Sequence, residues 1–351
     1  MKFSFTDEQI ALRDAVADMV AKECPASAVR NAWEGGPGYD PSLWGRLGAM
    51  GVFGLLVPEP AGGLGMSAIE MVLVMEEVGR AALPGPIVEQ AAAAMPLVAA
   101  VPELAERWLE PALAGEAVVT FGPMGDAAGR GVVGTPWGAE ADLSLVDHGG
   151  QLLALTRDDL HSAEPVSQVD GSWRGALLTP GGGLVVPDGD AQGRAGWERG
   201  ALAAAAELVG LGARMVEMTV AYVTERRQFG VPVGSYQAVK HHLANAHLAV
   251  EYARPAVYRA AWSMARREST QGRDVSFAKV VAGKSAALAG RVALQCHGAI
   301  GYSFEHDLHL WMKRAWVLQA SWGDAAVHRA RVARSVIAGH TLDTSQGSDE
   351  A

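Results

Sequence analysis

From Thr6 to about Val119, apolar residues recur at helical spacing. Ile10, Leu12, Val16, Met19 and Val20 approximate one stripe. Thr6-Asp7-Glu8 before it reads as a helix start, because a Thr or Asp side chain can cap free amides and acids suit the first turn. Trp44, Leu47 and Met50 continue the helical theme. Pro58-Glu-Pro-Ala-Gly-Gly-Leu-Gly65 has to be a loop, since its prolines and glycines cannot sit together inside a helix. A further helix is predicted from Ser67 through Val72, Val74 and Val78, and Pro84 and Pro86 interrupt the chain again. From about Ala117 to Asp190 the pattern changes to short β-prone runs between Gly, Pro and Asp clusters: Val118–Phe121, Leu143–Val146, Gln151–Thr156 and Gly183–Pro187. From Arg199 to Gly339 it is helical again and the helices are long. Ala201–Arg227 contains no proline, and Gln237–Arg267 and Phe277–His297 are similar apart from Pro255. This helix–β–helix order predicts a helical bundle with a β insert, and no repeat of solenoid spacing is present.

Length and composition narrow the picture. A chain of 351 residues exceeds one typical core, and 49% hydrophobic with 19% charged residues describes a well-buried globular protein. A net charge of −10 argues against nonspecific nucleic-acid binding, which needs a cationic face. It leaves room for an anionic ligand held by a few local arginines. Cys24 and Cys296 are spaced for neither a metal site nor a disulfide framework, so both are expected as thiols of a reducing cytosol. The N-terminus is amphipathic and charged, with no signal peptide pattern, and runs such as Ala91–Val101 are too short to span a bilayer. The expectation is a cytoplasmic protein without a membrane segment, ending in a polar tail.

Two segments about seventy residues apart carry the chemistry. One is Glu225-Arg-Arg-Gln-Phe-Gly230, continuing to Tyr236-Gln237. The other is Gln295-Cys-His-Gly-Ala-Ile-Gly-Tyr-Ser-Phe-Glu305. Both place an Arg or Gln beside glycines where a helix ends, which suits a long, anionic, hydrogen-bonding ligand. Together with the Val57–Gly65 loop, Leu43-Trp44, Gly51 and Glu76-Glu-Val-Gly-Arg80, these segments resemble the acyl-CoA dehydrogenases over nearly the whole chain. The run from Glu305 to Arg314 is similar to that of a short actinobacterial branch.

The resemblance implies the acyl-CoA dehydrogenase fold: an N-terminal α-helical domain (1–116), a small middle β domain (117–195), a C-terminal four-helix bundle (196–339) and a flexible tail (340–351). It implies FAD carried between two subunits. Arg226 matches the residue that grips the pyrophosphate, a role suited to a permanently charged planar fork. Phe229 and Gln237 match positions that pack on and hydrogen-bond the adenosine portion, and Gln228 belongs to the same set. Gln295, Gly298 and Ala299 match the segment that runs along the ADP of the neighbour's flavin, with Ala299 replacing a usual glycine. The residue-level alternative is that Arg226 simply pairs with Glu225 or Glu217 on the helix surface.

The departures from the family pattern point as clearly. The family's Thr-Glu-Pro and Gly-Ser-Asp signature is absent from Val119–Gly129. Trp137 is followed by Gly-Ala-Glu where a Trp-Ile-Thr strand would face the flavin ring. The carboxylate base that removes the proton alpha to the thioester is also missing: its two family positions fall on Trp322 and Gly200. Asp324, two residues late, and Glu207, nearly two turns along the earlier helix, are the candidate substitutes. The pattern resembles the shorter subunit of heterotetrameric (α2β2) dehydrogenases, whose partner bears the base. That branch is associated with thioesters of bulky acids, including steroid side chains, and an electron-transferring flavoprotein is the expected acceptor. A complete homomeric dehydrogenase or flavin oxidase with a displaced base is the alternative, and a flavin-free acyl-CoA-binding scaffold is a third reading. Two other patterns carry less. Gly129-Arg-Gly-Val-Val-Gly134 fits G-x-G-x-x-G, but Pro136 and Gly138 follow where a helix is required. His306 and His309, beside Asp307, and the pair His241-His242 lack zinc-site spacing, so no metal is expected.

Overall fold

In the computed structural model, the described residues are 4–122 and 131–337. The α-helices are α1 (Asp7–Glu23), α2 (Ala26–Glu34), α3 (Pro41–Ala49), α4 (Ala68–Ala81), α5 (Met95–Ala100), α6 (Pro102–Leu104), α7 (Glu110–Ala114), α8 (Gly189–Glu225), α9 (Gln237–Ala265), α10 (Gln271–His297), α11 (Leu308–Ala320) and α12 (Ala325–Ile337). Wider π-turns cover Val88–Ala94 and Ala105–Leu109. Strands are β1 (Val119–Gly122), β2 (Val133–Pro136), β3 (Leu143–His148), β4 (Gln151–Thr156), β5 (Leu160–Val166), β6 (Gly175–Pro180), β7 (Leu184–Val185) and the short β8 (Arg227–Gln228) and β9 (Val231–Pro232). The chain forms two compact units. Among the described residues, one gathers 4–27, 72–83 and 204–337, and the other 28–71, 84–122 and 131–203. This is the helix–sheet–helix order that the sequence pattern predicts.

The unit with the sheets is a small sandwich flanked by short helices. One sheet has the order β1-β3-β4-β7, parallel only between β1 and β3, and the other is the antiparallel set β2-β6-β5. Val133, Ala176 and Leu178 of the second sheet join Val146, Leu153 and Leu155 of the first in one buried cluster. Three of the four expected β runs become β1, β3 and β4 almost as read, while β7 keeps only two residues of the fourth. Strands β2, β5 and β6 were not expected. In place of a dinucleotide turn, Val133–Pro136 is a sheet strand, and a turn follows it at Trp137–Glu140.

The other unit is built on α8, α9 and α10. Thr6 and Gln9 form a reciprocal cap on α1, as the Thr-Asp-Glu start predicts, with Thr6 Oγ1 accepting from the Gln9 N–H. Helix α9 continues past Pro255, which the sequence pattern treats as an interruption. Its face of Ala246, Val250, Ala253, Val257, Ala260 and Ala261 is buried, and α9 packs on α10. That packing outweighs the roughly 3 kcal/mol a mid-helix proline costs. Helices α4 and α8 touch backbone to backbone. A Cβ placed on Gly79 would lie 2.2 Å from the Glu207 carbonyl oxygen, and one on Gly210 would lie 2.0 Å from that of Glu76.

Candidate functional site

The first motif sits where α8 ends. The Arg226 N–H still bonds the Tyr222 carbonyl (2.8 Å), and its own carbonyl accepts from Val233 (2.7 Å) across the β8–β9 hairpin. At the hairpin tip, Phe229 and Gly230 have φ of 50° and 81°. A left-handed Phe is unusual, and its ring is 93% exposed. The Tyr236 hydroxyl donates to the Gln228 carbonyl (3.3 Å), and the Ser235 hydroxyl to that of Pro232 (2.7 Å). The Arg226 side chain is exposed, and no ion pair or side-chain hydrogen bond holds it among the described residues. The surface pairing with Glu217 considered above is not made: Glu217 accepts from Arg80 (2.8 and 2.9 Å) and faces Arg214 at 3.7 Å. Gln228 and Gln237 are also exposed.

The second motif sits where α10 ends. Gly298 caps it with φ 64° and ψ −141°, a conformation open only to glycine. Gln295, Gly298 and Ala299 are exposed, and a Cβ on Gly298 would meet nothing within 4 Å. Between them His297 turns inward. Its Nδ1 donates to the Ala293 carbonyl (2.7 Å), its ring stacks on Tyr222 at 4.5 Å, and His306 meets it edge-on at 4.5 Å. Burial, and to a lesser degree the nearby His306, holds the His297 pKa below the ordinary value. The Tyr222–His297 stack thus draws together the ends of α8 and α10, and with them the two motifs. The sequence pattern offered no signal for that contact, since Tyr222 reads as one more residue of a long helix.

The two positions at which the resemblance leads one to expect a base are differently filled. Gly200 is buried inside α8. Trp322 lies in the turn between α11 and α12 with φ 58° and is 6% exposed. Asp324, the nearby candidate, is exposed, and its carboxylate accepts from the Ala326 and Val327 N–H groups (2.8 and 2.9 Å). Those two bonds hold its pKa below the usual carboxylate value. The group is therefore the N-cap of α12, and a base with a lowered pKa is a weak one. Glu207 is buried in α8, its backbone pressed on Gly79. On the middle-domain side, Trp137 is fully buried at φ 51° and packs edge-on against Trp173 at 5.4 Å. Much of the Val119–Gly129 stretch (residues 123–129) lies outside the described residues. Among the described residues no group of three or more His, Cys, Asp or Glu could hold a metal ion, and no helix is long and apolar enough to cross a membrane.

This arrangement is that of a known enzyme class. Residues 6–116 match the acyl-CoA dehydrogenase N-terminal domain and residues 189–337 the acyl-CoA dehydrogenase C-terminal domain. The chain belongs to the acyl-CoA dehydrogenase family, oxidoreductases that act on acyl-CoA. It is 35% identical to the acyl-CoA dehydrogenase IpdE2 of Mycolicibacterium smegmatis over 312 residues, 88% of this chain and 93% of that protein. Among solved structures it resembles a chain of the ChsE4-ChsE5 complex of Mycobacterium tuberculosis, with a TM-score of 0.87 at 23% identity, covering 96% of this chain and 99% of that one. It also resembles a chain of the Tcur3481-Tcur3483 steroid ACAD (G363A variant), with a TM-score of 0.86 at 22% identity, covering 95% of this chain and 98% of that one.

Proposed function

We propose that this chain is the flavin-contacting, base-lacking subunit of a heteromeric, FAD-dependent acyl-CoA dehydrogenase (α2β2) acting on a bulky acyl-CoA such as a steroid side-chain thioester. The observation that carries the reading is the 321–324 turn. An indole stands where a carboxylate is needed, and the one carboxylate beside it is consumed as a helix cap. The heteromeric and steroid-directed solved neighbours support the assembly and the substrate class.

The residues at the ends of α8 and α10 fit the ADP half of FAD. The unspent Arg226 guanidinium would face the pyrophosphate, with charged donors ready without first breaking an ion pair. The exposed Phe229 ring offers a face for the adenine, and Gln228 and Gln237 offer amides. Gln295, Gly298 and Ala299 would line the dinucleotide, Gly298 through bare backbone. The ring half fits less well, since Trp137 is buried on Trp173 and presents no surface to an isoalloxazine. FAD supplies the hydride acceptor in such enzymes. In this reading the partner supplies the carboxylate that takes the alpha proton, and an electron-transferring flavoprotein accepts the electrons.

The test is to purify the chain alone and together with the product of an adjacent acyl-CoA dehydrogenase gene, and to read flavin absorbance and dye reduction. Flavin only in the co-purified complex is the expected result. A lone chain that is yellow and reduces dye would replace this reading with a homomeric enzyme. Absence of flavin from both preparations would make the chain a scaffold.

A further inference from the structure

The turn between α11 and α12 is held more tightly than its length requires. Trp322 and Gly323 are successive left-handed residues, with φ of 58° and 86°. A tryptophan in that region is strained, so the surroundings must impose it. They do so through three successive carbonyls. Lys279, on α10 and 3% exposed, donates from Nζ to the Ser321 carbonyl at 2.8 Å and to that of Gly323 at 3.1 Å, with Gln319 at 3.5 Å. The carbonyl between them, that of Trp322, accepts from His328 Nε2 at 2.9 Å. The oxygens around Nζ are of the kind that ligate a small monovalent cation, and Asp324 adds a nearby negative charge. The other charged group of this corner, Arg331, is turned aside and donates to Ser276 Oγ at 3.1 Å.

We propose that Lys279 is the positioning residue of this turn: its ammonium takes the place of a cation in an oxygen cage and fixes Trp322 with its indole buried. This rests on the reading that the turn stands in for a base-bearing one, and it explains how the substitution is kept rigid. Burial pulls the Lys279 pKa down to about 7 and the charge of Asp324 opposes that shift; in its ammonium form the side chain offers one donor to each of the three carbonyls around it. A neutral amine could donate only two of those bonds.

The test uses the lone chain without flavin, so its outcome is independent of whether the chain binds FAD. The tryptophans are replaced by 5-fluorotryptophan, and the resonance of Trp322 is assigned from Trp322→Phe. In Lys279→Ala, the Trp322 resonance should shift by more than its width. Amide exchange at Gly323 and the first turn of α12 should accelerate by roughly 10- to 100-fold, the loss of a charged hydrogen bond. n-Propylammonium, which replaces the missing end of the side chain, should restore both, while propanol and an equal concentration of tetramethylammonium should not. If the alanine variant does not fold, Lys279→Gln replaces it. Glutamine is polar and nearly as long but uncharged, and it should show the same shift. An unshifted Trp322 resonance in either folded variant, or rescue by propanol as readily as by propylammonium, would overturn the proposal.

Discussion

Two helix ends in the same unit use their polar groups in opposite ways. At the end of α8 polar groups are left unspent: among the described residues the Arg226 side chain has no partner, and Phe229 stands in solvent. At the end of α11 the charged side chains are used within the chain: Lys279 and His328 hold three carbonyls and Asp324 caps the next helix. Unspent donors on a rigid hairpin suit a surface awaiting a ligand, because nothing has to be broken before binding. A turn whose carboxylate and cations are mutually satisfied suits a structural element, because chemistry there would have to dismantle it first.

Three perturbations bear on that contrast, beginning with the largest. His328 is buried and its pKa is held down to about 4, chiefly by burial and then by Lys279, against an ordinary 6.5. The unfolded chain therefore binds the extra proton first. The stability His328 contributes is complete above about pH 6.5 and is lost as pH falls toward 4, by about 3 kcal/mol in total. His328→Gln, which can still donate to the Trp322 carbonyl, should flatten this part of the stability–pH curve in urea melts. Curves that stay parallel would show that the turn is looser than described.

Next, Arg226→Ala should weaken flavin retention in the complex by roughly 10- to 100-fold, the worth of a charge-assisted contact, without moving the melting temperature of the lone chain. A stability loss at constant flavin occupancy would mean that the guanidinium has structural work after all. The smallest effect is expected at Asp324→Ala. Losing this N-cap should lower stability only slightly and leave turnover of the complex near the wild-type value. A fall of several orders of magnitude in turnover would make this carboxylate the base and reverse the contrast.

Much of the fold was legible because its period is. Helix α9 begins at Gln237 as read, and β4 spans Gln151–Thr156 as read, since alternation and helical spacing survive wherever one face is buried. Strand β5 was missed for the complementary reason. It is an edge strand that is largely exposed and carries Pro165, so it has neither the apolar alternation nor the composition of a strand. The positions of Arg226 and Gln295 were legible as motifs, but their approach through Tyr222 and His297 was not, because it depends on how two helices end in space. Lys279 was invisible for a similar reason. On a helix of mixed composition an inward lysine and a solvated one read alike, and only the carbonyls of another element distinguish them. Asp324 was found in sequence, but its proximity to Trp322 said nothing of the two amides that claim it.

The close approach of α4 and α8 at Gly79 and Gly210 has an evolutionary corollary. Each residue abuts a peptide group of the opposite helix, so neither can acquire a side chain unless the two axes part along their length. A single substitution cannot be compensated by trimming a neighbour, because what it strikes is main chain. Divergence in this lineage should therefore flow around that crossing, and relatives that have changed their ligands and assemblies should still share it.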